Sequence, residues 1–412
     1  MKKILLVSYY WDQKNSIGRQ RWYNLVNELI KEKVKVYVFT ASNKNEVVEK
    51  GQLVIIRKKI FDINSIFSNL FSSKYSRGVI DSSESLLNKF FSWIRVNFFF
   101  PDSRVFWSLS SHSFLVNFIR ERNISTIITS SPPHSMHCLG KKLKDSLDIK
   151  WISDFRDPYT NWDIFLNMKP SFFAKKIHKK IEKNFLNNSD KVLVTSYALR
   201  DEYLKNIDKN KIIFLRNGSS LTTKRSITNE KFIISYFGLI NKFRDPIIFL
   251  KTLDELLSEN DKMSSKLELR LYGHIQDSTI NYIENYLINK KNVKIFGNID
   301  VEKVNEKIFE SSILLLLLNN TKIQNTIPYK IYDYLVSEKQ IITLGDYVNV
   351  DVDNLLKKYK RRNRVAYNDK ESIRNYITQS FRDFNNNNLK NISLDYSEIK
   401  FSKLKDILFE II

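Results

Sequence analysis

Lys330 and Asp333 are opposite charges three residues apart, and the sequence places them at the start of a helix. Pro328 is tolerated in a first helical turn, and Ile331, Tyr334 and Leu335 follow at helical spacing. At that spacing the two charges share one face near the positive end of the helix dipole. Upstream runs ILLLLL, Ile313 to Leu318, the right length for a strand buried on both faces. An open α/β sheet binds ligands beyond the carboxyl ends of its strands, and a helix start there offers free N–H groups to phosphate. The loop into this helix is therefore a candidate phosphate site; the alternative is an ordinary solvated ion pair.

Three strands of the same half end in glycine: Gly238 after Phe232 to Phe237, Gly273 after Leu267 to Tyr272, and Gly297 after Val293 to Phe296. Lys242 and Arg244 follow Gly238, and two cations beside a closely approachable backbone suit a diphosphate. Glycine-rich dinucleotide or P-loop fingerprints are absent, against dehydrogenase and kinase chemistry. In the first half, SSPPHSMH (Ser130 to His137) and DFRDP (Asp154 to Pro158) each follow a strand. His134, His137, Asp154, Arg156 and Asp157 suit binding and polarising sugar hydroxyls; a structural ion-pair network is the alternative for the last three. His134, His137 and Cys138 lack the second cluster that a metal site needs. Asp351-Val352-Asp353 has the DxD form of metal-binding transferases and reads as a chance match, so no metal is expected.

The positioning elements alternate. Strand-like runs at Ile4 to Ser8, Val34 to Phe39, Leu53 to Ile56, Thr126 to Thr129, Trp151 to Asp154 and Val192 to Val194 are separated by helical periodicity, as at Trp22, Leu25, Val26, Leu29 and Ile30. The second half repeats the theme and adds Ile341 to Leu344. This is an α/β pattern of two Rossmann-like domains. The polar stretch Asn217 to Glu230 reads as the hinge. Tyr396 to Ile412, with Phe401, Leu404, Ile407 and Leu408 at helical spacing, reads as an amphipathic helix seeking a partner surface.

A chain of 412 residues exceeds one core, and 42% hydrophobic residues with 28 Phe and 20 Tyr can fill two. Sixty-seven Lys and Arg against 45 Asp and Glu give +22, favouring anionic partners, although abundant Lys, Ile and Asn also fit a nucleotide bias in the source genome. The single Cys138 agrees with a reducing cytosol. MKKILLVSYY reads as a first strand rather than a signal peptide. Phe61 to Ser110 is irregular, aromatic and basic, with Lys74, Arg77, Lys89 and Arg95; it reads as core filling or as a surface resting on anionic lipid.

The ordered series PDSRVFW (Pro101 to Trp107), SPPHSMHCLG (Ser131 to Gly140), WISDFRDP (Trp151 to Pro158), KVLVTSYALR (Lys191 to Arg200), Asn217-Gly218, Tyr236-Phe237-Gly238 and PYKIYDYL (Pro328 to Leu335) resembles glycosyltransferase family 4, in its bacterial surface-polysaccharide branch. The resemblance implies the GT-B fold, two Rossmann-like domains facing a cleft. Its expected boundaries are an acceptor domain at 1–218, a nucleotide-sugar donor domain at 219–395, and a helix at 396–412 returning to the first. It implies retention of anomeric configuration and no required metal or other cofactor. Asp333 stands where the family usually has a ribose-binding glutamate, Lys330 matches the lysine of that motif, and Lys242 and Arg244 lie near its diphosphate-binding cations. Gly238, Gly273, Gly297 and Pro328 complete the expected donor set. Gly18 occupies the first-strand loop, with Arg21 beside it, and Pro133 and His134 are expected to face the acceptor.

Departures accompany the match. The family's first glutamate is missing, leaving Asn325 or Thr326 to substitute, and Tyr329 replaces a small residue. The expected activity is sugar transfer from a nucleoside-diphosphate sugar to a glycan, lipid-linked, in capsule, O-antigen or exopolysaccharide synthesis. The expected place is the cytoplasm, peripheral on the inner face of the plasma membrane. The alternatives are a nucleotide-sugar epimerase of the same architecture and a basic non-catalytic protein binding membranes or nucleic acid, the latter disfavoured by the lack of a nucleic-acid module.

Overall fold

The computed structural model describes residues 1–13, 17–60, 86–222 and 230–412. The chain forms two compact units, Met1–Arg216 with Phe401–Ile412, and Asn217–Lys400.

The first unit is built on an eight-stranded sheet: β1 Lys3–Val7, β2 Lys35–Ser42, β3 Glu46–Lys50, β4 Leu53–Lys59, β5 Thr126–Ser131, β6 Lys150–Phe155, β7 Lys191–Val194 and β8 Ile212–Phe214. Their order is β3-β4-β2-β1-β5-β6-β7-β8, and every pair is parallel except β3 with β4. The central strands are buried on both faces, as expected of a sheet covered by helices. Two strands escape the sequence pattern. β3 (EVVEK) is a charged, largely exposed edge, which blunts pairing with other chains, and β8 is only three residues long. The last helix, Phe401–Ile411, belongs to this unit and packs on Ile17–Lys31, with Phe401, Leu404 and Leu408 buried and Lys405 paired with Glu32. Gly140 is required by packing: a Cβ there would run into the Trp151 indole and Thr129.

The second unit carries β9 Phe232–Phe237, β10 Leu267–Tyr272, β11 Val293–Gly297, β12 Ile313–Leu317 and β13 Gln340–Leu344, all parallel, in the order β11-β10-β9-β12-β13. All six residues of β9 and all five of β12 are buried. Each Leu or Ile sealed there contributes about 1.5–3 kcal/mol. The strand order reverses at β1/β5 in the first unit and at β9/β12 in the second, and such switch points are where open sheets hold ligands.

The hinge reading needs correction at its start. Asn217 and Ser219 are buried, and Ser219 N–H donates to Ile399 O at 2.8 Å. Residues 223–229, and within the aromatic insertion residues 61–85 with Lys74 and Arg77, lie outside the described residues.

Candidate functional site

In the second unit the β9/β12 switch point gathers Gly238, Tyr236, Lys330 and Arg244. Gly238 closes β9 with φ 138°, and its N–H donates to Tyr272 O at 2.7 Å. A Cβ on Gly238 would stand 2.7 Å from Lys330 Nζ. The ammonium lies 4.0 Å from the centroid of the Tyr236 ring, and Tyr236 is itself fixed by donating to Leu239 O at 2.7 Å. Lys330 Nζ is buried without a hydrogen-bond partner among the described residues. Burial, and secondarily the Arg244 guanidinium, hold its pKa well below the ordinary lysine value. A cation–π contact compensates only part of the lost hydration. The arrangement attracts an anion.

The helix carrying Lys330 is short, Lys330–Val336, and Tyr334 on it anchors to β9 by accepting the Phe237 N–H at 3.2 Å. One turn on, Asp333 accepts from Ser219 Oγ at 2.6 Å. Burial pushes this carboxyl up to about 7, opposed by the Ser219 bond. Sequence reasoning missed Ser219 because it lies in a polar stretch with no periodicity; its one signal was the adjacent Asn217-Gly218 turn.

The other expected donor residues separate. Arg244 is half-buried beside Tyr236, with Nε lacking a partner among the described residues. Lys242 is exposed and sits over the Phe243 ring at 5.2 Å, so the structure pairs Arg244 with Lys330 and not with Lys242. Gly273 serves the fold: at φ 122° a Cβ would overlap the Gly238 carbonyl. Gly297, at φ 64°, faces open space. Asn325 is buried, the carbonyl of Thr326 accepts from Asn349 Nδ2 at 2.9 Å, and Pro328 O accepts from Ile331 N at 3.1 Å. The last two bonds hold the loop.

In the first unit the structure buries Arg21, Asp154 and His137 completely. Arg21 and Asp154 are fully buried and paired at 3.2 Å. Asp154 also accepts from Trp22 Nε1 at 2.7 Å and Ser130 Oγ at 2.8 Å, while Arg21 donates to the carbonyls of Leu215 at 2.9 Å and Arg216 at 2.8 Å. This network ties helix Ile17–Lys31 to β5, β6 and the end of the unit. Both side chains are fully buried in it. His137 is likewise a core residue, its Nδ1 2.7 Å from Thr129 Oγ1 and its pKa lowered to about 3 by burial. Thr129 Oγ1 also accepts from Trp151 Nε1 at 2.9 Å, so the ring belongs to a buried side-chain network.

His134 is buried beneath the Tyr159 ring at 4.2 Å, with neither ring nitrogen partnered among the described residues. Burial, then the neighbouring His137, keep it neutral. Pro133 is buried beside it. Arg156 is half-buried and donates to Pro132 O at 3.2 Å, and its guanidinium fills the space a Cβ on Gly18 would take. Asp157 is half-buried, with its carboxyl pKa raised by burial and lowered by Arg156. Asp102, in the PDSRVFW segment, accepts from Ser135 N at 2.9 Å and Oγ at 2.8 Å, fixing the start of helix Ser135–Ser146. Asp351 and Asp353 stand in helix Val350–Lys358, two positions apart and so on different faces, with Asp353 paired to Arg364 at 3.3 Å.

The chain is 12% identical to sucrose-phosphate synthase from Thermosynechococcus elongatus, with TM-score 0.61 over 100% of this chain and 95% of that one. WaaG, a glycosyltransferase of lipopolysaccharide biosynthesis, matches at 10% identity and TM-score 0.60 over 99% of both chains. HepE of Anabaena, solved with UDP, matches at 9% and 0.61 over 100% of this chain and 99% of that one. At such identities the likeness shows the GT-B fold. A curated relative, guanylate cyclase beta of Plasmodium berghei, is 29% identical over an alignment of 201 residues that covers 44% of this chain and only 7% of that protein's length. The profile of Glycosyltransferase Family 4 matches residues 19–222. Residues 19–222 are similar to glycosyltransferase family 4, and the chain has the GT-B fold of two Rossmann-like domains.

Proposed function

We propose that the protein transfers a sugar from a nucleoside-diphosphate sugar to a lipid-linked glycan at the cytoplasmic face of a bacterial membrane, with retention of configuration and without a metal, in assembly of a surface polysaccharide. The observation that carries this reading is the Lys330 ammonium: desolvated, without a hydrogen-bond partner among the described residues, and set between Gly238 and the Tyr236 ring at the β9/β12 switch point.

Breaking the sugar–phosphate bond leaves positive charge on the anomeric carbon and negative charge on the departing diphosphate. Lys330 and Arg244 meet the latter, and removing one such preorganised donor typically costs about 100-fold or more. Gly238, lacking a Cβ, lets the phosphates approach the strand end. Asp333, as a carboxylate, accepts from a ribose hydroxyl, with Ser219 orienting it. The acceptor hydroxyl forms the new glycosidic bond, and its proton passes to the leaving diphosphate oxygen. That UDP is bound by the structurally similar HepE supports a uridine nucleotide as the first to try.

The test is calorimetric titration of UDP, GDP, ADP and dTDP into wild type and Lys330→Ala. One nucleoside diphosphate should bind wild type and bind the variant at least about tenfold more weakly, about 1.4 kcal/mol. Equal binding by both proteins removes the donor site from this switch point.

A further inference from the structure

Two helices of the first unit meet where Asn97 Oδ1 accepts the Ser171 N–H at 2.8 Å, joining the last turn of Leu86–Phe98 to the N-cap of Phe172–Asn188. Around this joint aromatic rings face water: Phe90 is 54% exposed, Phe98 and Phe172 66%, Phe173 75% and Trp93 38%. Within each helix the rings touch one another. Trp93 stacks with Phe90 at 6.5 Å and meets Phe98 edge-on at 5.9 Å, while Phe172 meets Phe173 at 5.8 Å.

The helix Phe172–Asn188 turns Ala174, His178, Glu182 and Phe185 inward. Its outer face is left to Phe173, Ile177 and the lysines Lys175, Lys176, Lys179, Lys180 and Lys183, all exposed. Lys89 and Arg95 on the first helix are also exposed. The two helices hold one carboxylate, Glu182. It is buried and accepts from Thr160 Oγ1 at 2.5 Å and Tyr203 Oη at 3.1 Å, so it neutralises nothing on the surface.

Exposed rings clustered at one joint cost about 25 cal/mol for each Å² of apolar surface left wet, and a patch of this kind marks an interaction site. Rings beside lysines, on two helices that expose no acid of their own, complement an anionic bilayer, where aromatic rings settle at the headgroup level and each nearby cation contributes about 1 kcal/mol. Among the described residues no helix is long and apolar enough to cross a membrane. We propose that this face docks the first unit on an anionic lipid surface, with Phe98, Phe172 and Phe173 entering the interface and Lys176 and Lys180 meeting headgroup phosphates. The inference deepens the reading of a lipid-linked acceptor and rests on it only for its purpose.

Co-sedimentation of the full chain with sucrose-loaded vesicles tests it, without donor or acceptor, so the outcome is independent of the transfer reaction. Wild type should bind vesicles of phosphatidylcholine mixed with phosphatidylglycerol and not phosphatidylcholine alone. Phe172→Ser/Phe173→Ser should weaken partitioning by at least about tenfold, and Lys176→Glu/Lys180→Glu should abolish it, both with unchanged circular dichroism. No binding by wild type, or equal binding to the two vesicle types, overturns the proposal. So does a phenylalanine variant that binds like wild type, because adsorption by the net charge of +22 would then suffice.

Discussion

Lys330 Nζ stands 4.0 Å from the centre of the Tyr236 ring, although 94 residues separate them in the chain (330 − 236). The contact exists because β9 and β12 are neighbours in the sheet, so the residues following each strand arrive at one place. An ammonium there has lost its water without gaining an oxygen partner among the described residues. Binding and folding therefore pull in opposite directions at this residue.

Lys330→Met should separate them. Removing an uncompensated buried cation should leave the melting temperature unchanged or raise it, while nucleoside-diphosphate affinity falls about 10- to 100-fold, the worth of a charge-assisted hydrogen bond. Burial holds the Lys330 pKa low and an arriving diphosphate should raise it, so whatever fraction of Lys330 is neutral in the free protein should take up a proton on binding. Calorimetry in two buffers of different ionisation enthalpy measures that uptake. A lower melting temperature with unaltered affinity would show that Lys330 is structural.

Asp333 gives the site a pH dependence. Its folded-state pKa, about 7, exceeds the usual carboxyl value. Its contribution to stability is therefore full where it is protonated in both states, below about pH 4, and is lost as pH rises through about 7. Donor binding has the opposite sign, since the ionised carboxylate is the better acceptor for a ribose hydroxyl, and should strengthen as pH rises through the same range. The Ser219 bond lowers this pKa, so Ser219→Ala should move the midpoint of the affinity profile to higher pH. An unmoved midpoint would show that another group titrates.

Gly238→Ala combines two strains. A φ of 138° is unfavourable for any L side chain and should cost about 1–3 kcal/mol in urea denaturation. The new methyl also displaces the Lys330 ammonium, whose flexible end can move, so that contact should register in affinity more than in stability. In the double variant with Lys330→Met the two affinity losses should not add, because they act through one group. Additive losses would place Gly238 against the ligand by a separate route.

The sequence made the scaffold legible wherever burial was uniform. Runs such as ILLLLL, too short for a buried helix, read as strands sealed on both faces, and β9, β10, β12 and β13 lie within a residue of where that pattern puts them. β3 was not legible, since an edge strand with glutamate and lysine carries no apolar alternation. At the site, Lys330 and Asp333 could be singled out by type and spacing. Their partners Tyr236 and Ser219 could not, because only strand order brings them close. The same gap explains Arg21 and Asp154, whose residue types suit catalysis and whose mutual burial, 133 residues apart, assigns them to structure.

That assignment has a measurable consequence. Asp154 accepts from Arg21, Trp22 and Ser130 in a fully buried setting, so Asp154→Ala would strand the Arg21 guanidinium and should destabilise the first unit by about 3–5 kcal/mol. Arg21→Met combined with Asp154→Leu removes both charges, and the lost pair energy is then offset by the lost desolvation cost; the double variant should be more stable than Asp154→Ala alone. Chemical denaturation of the three proteins measures this order. If Asp154 instead touched the reacting sugar, Asp154→Ala would fold at wild-type stability with its turnover gone, and the double variant would be no better folded than the single one.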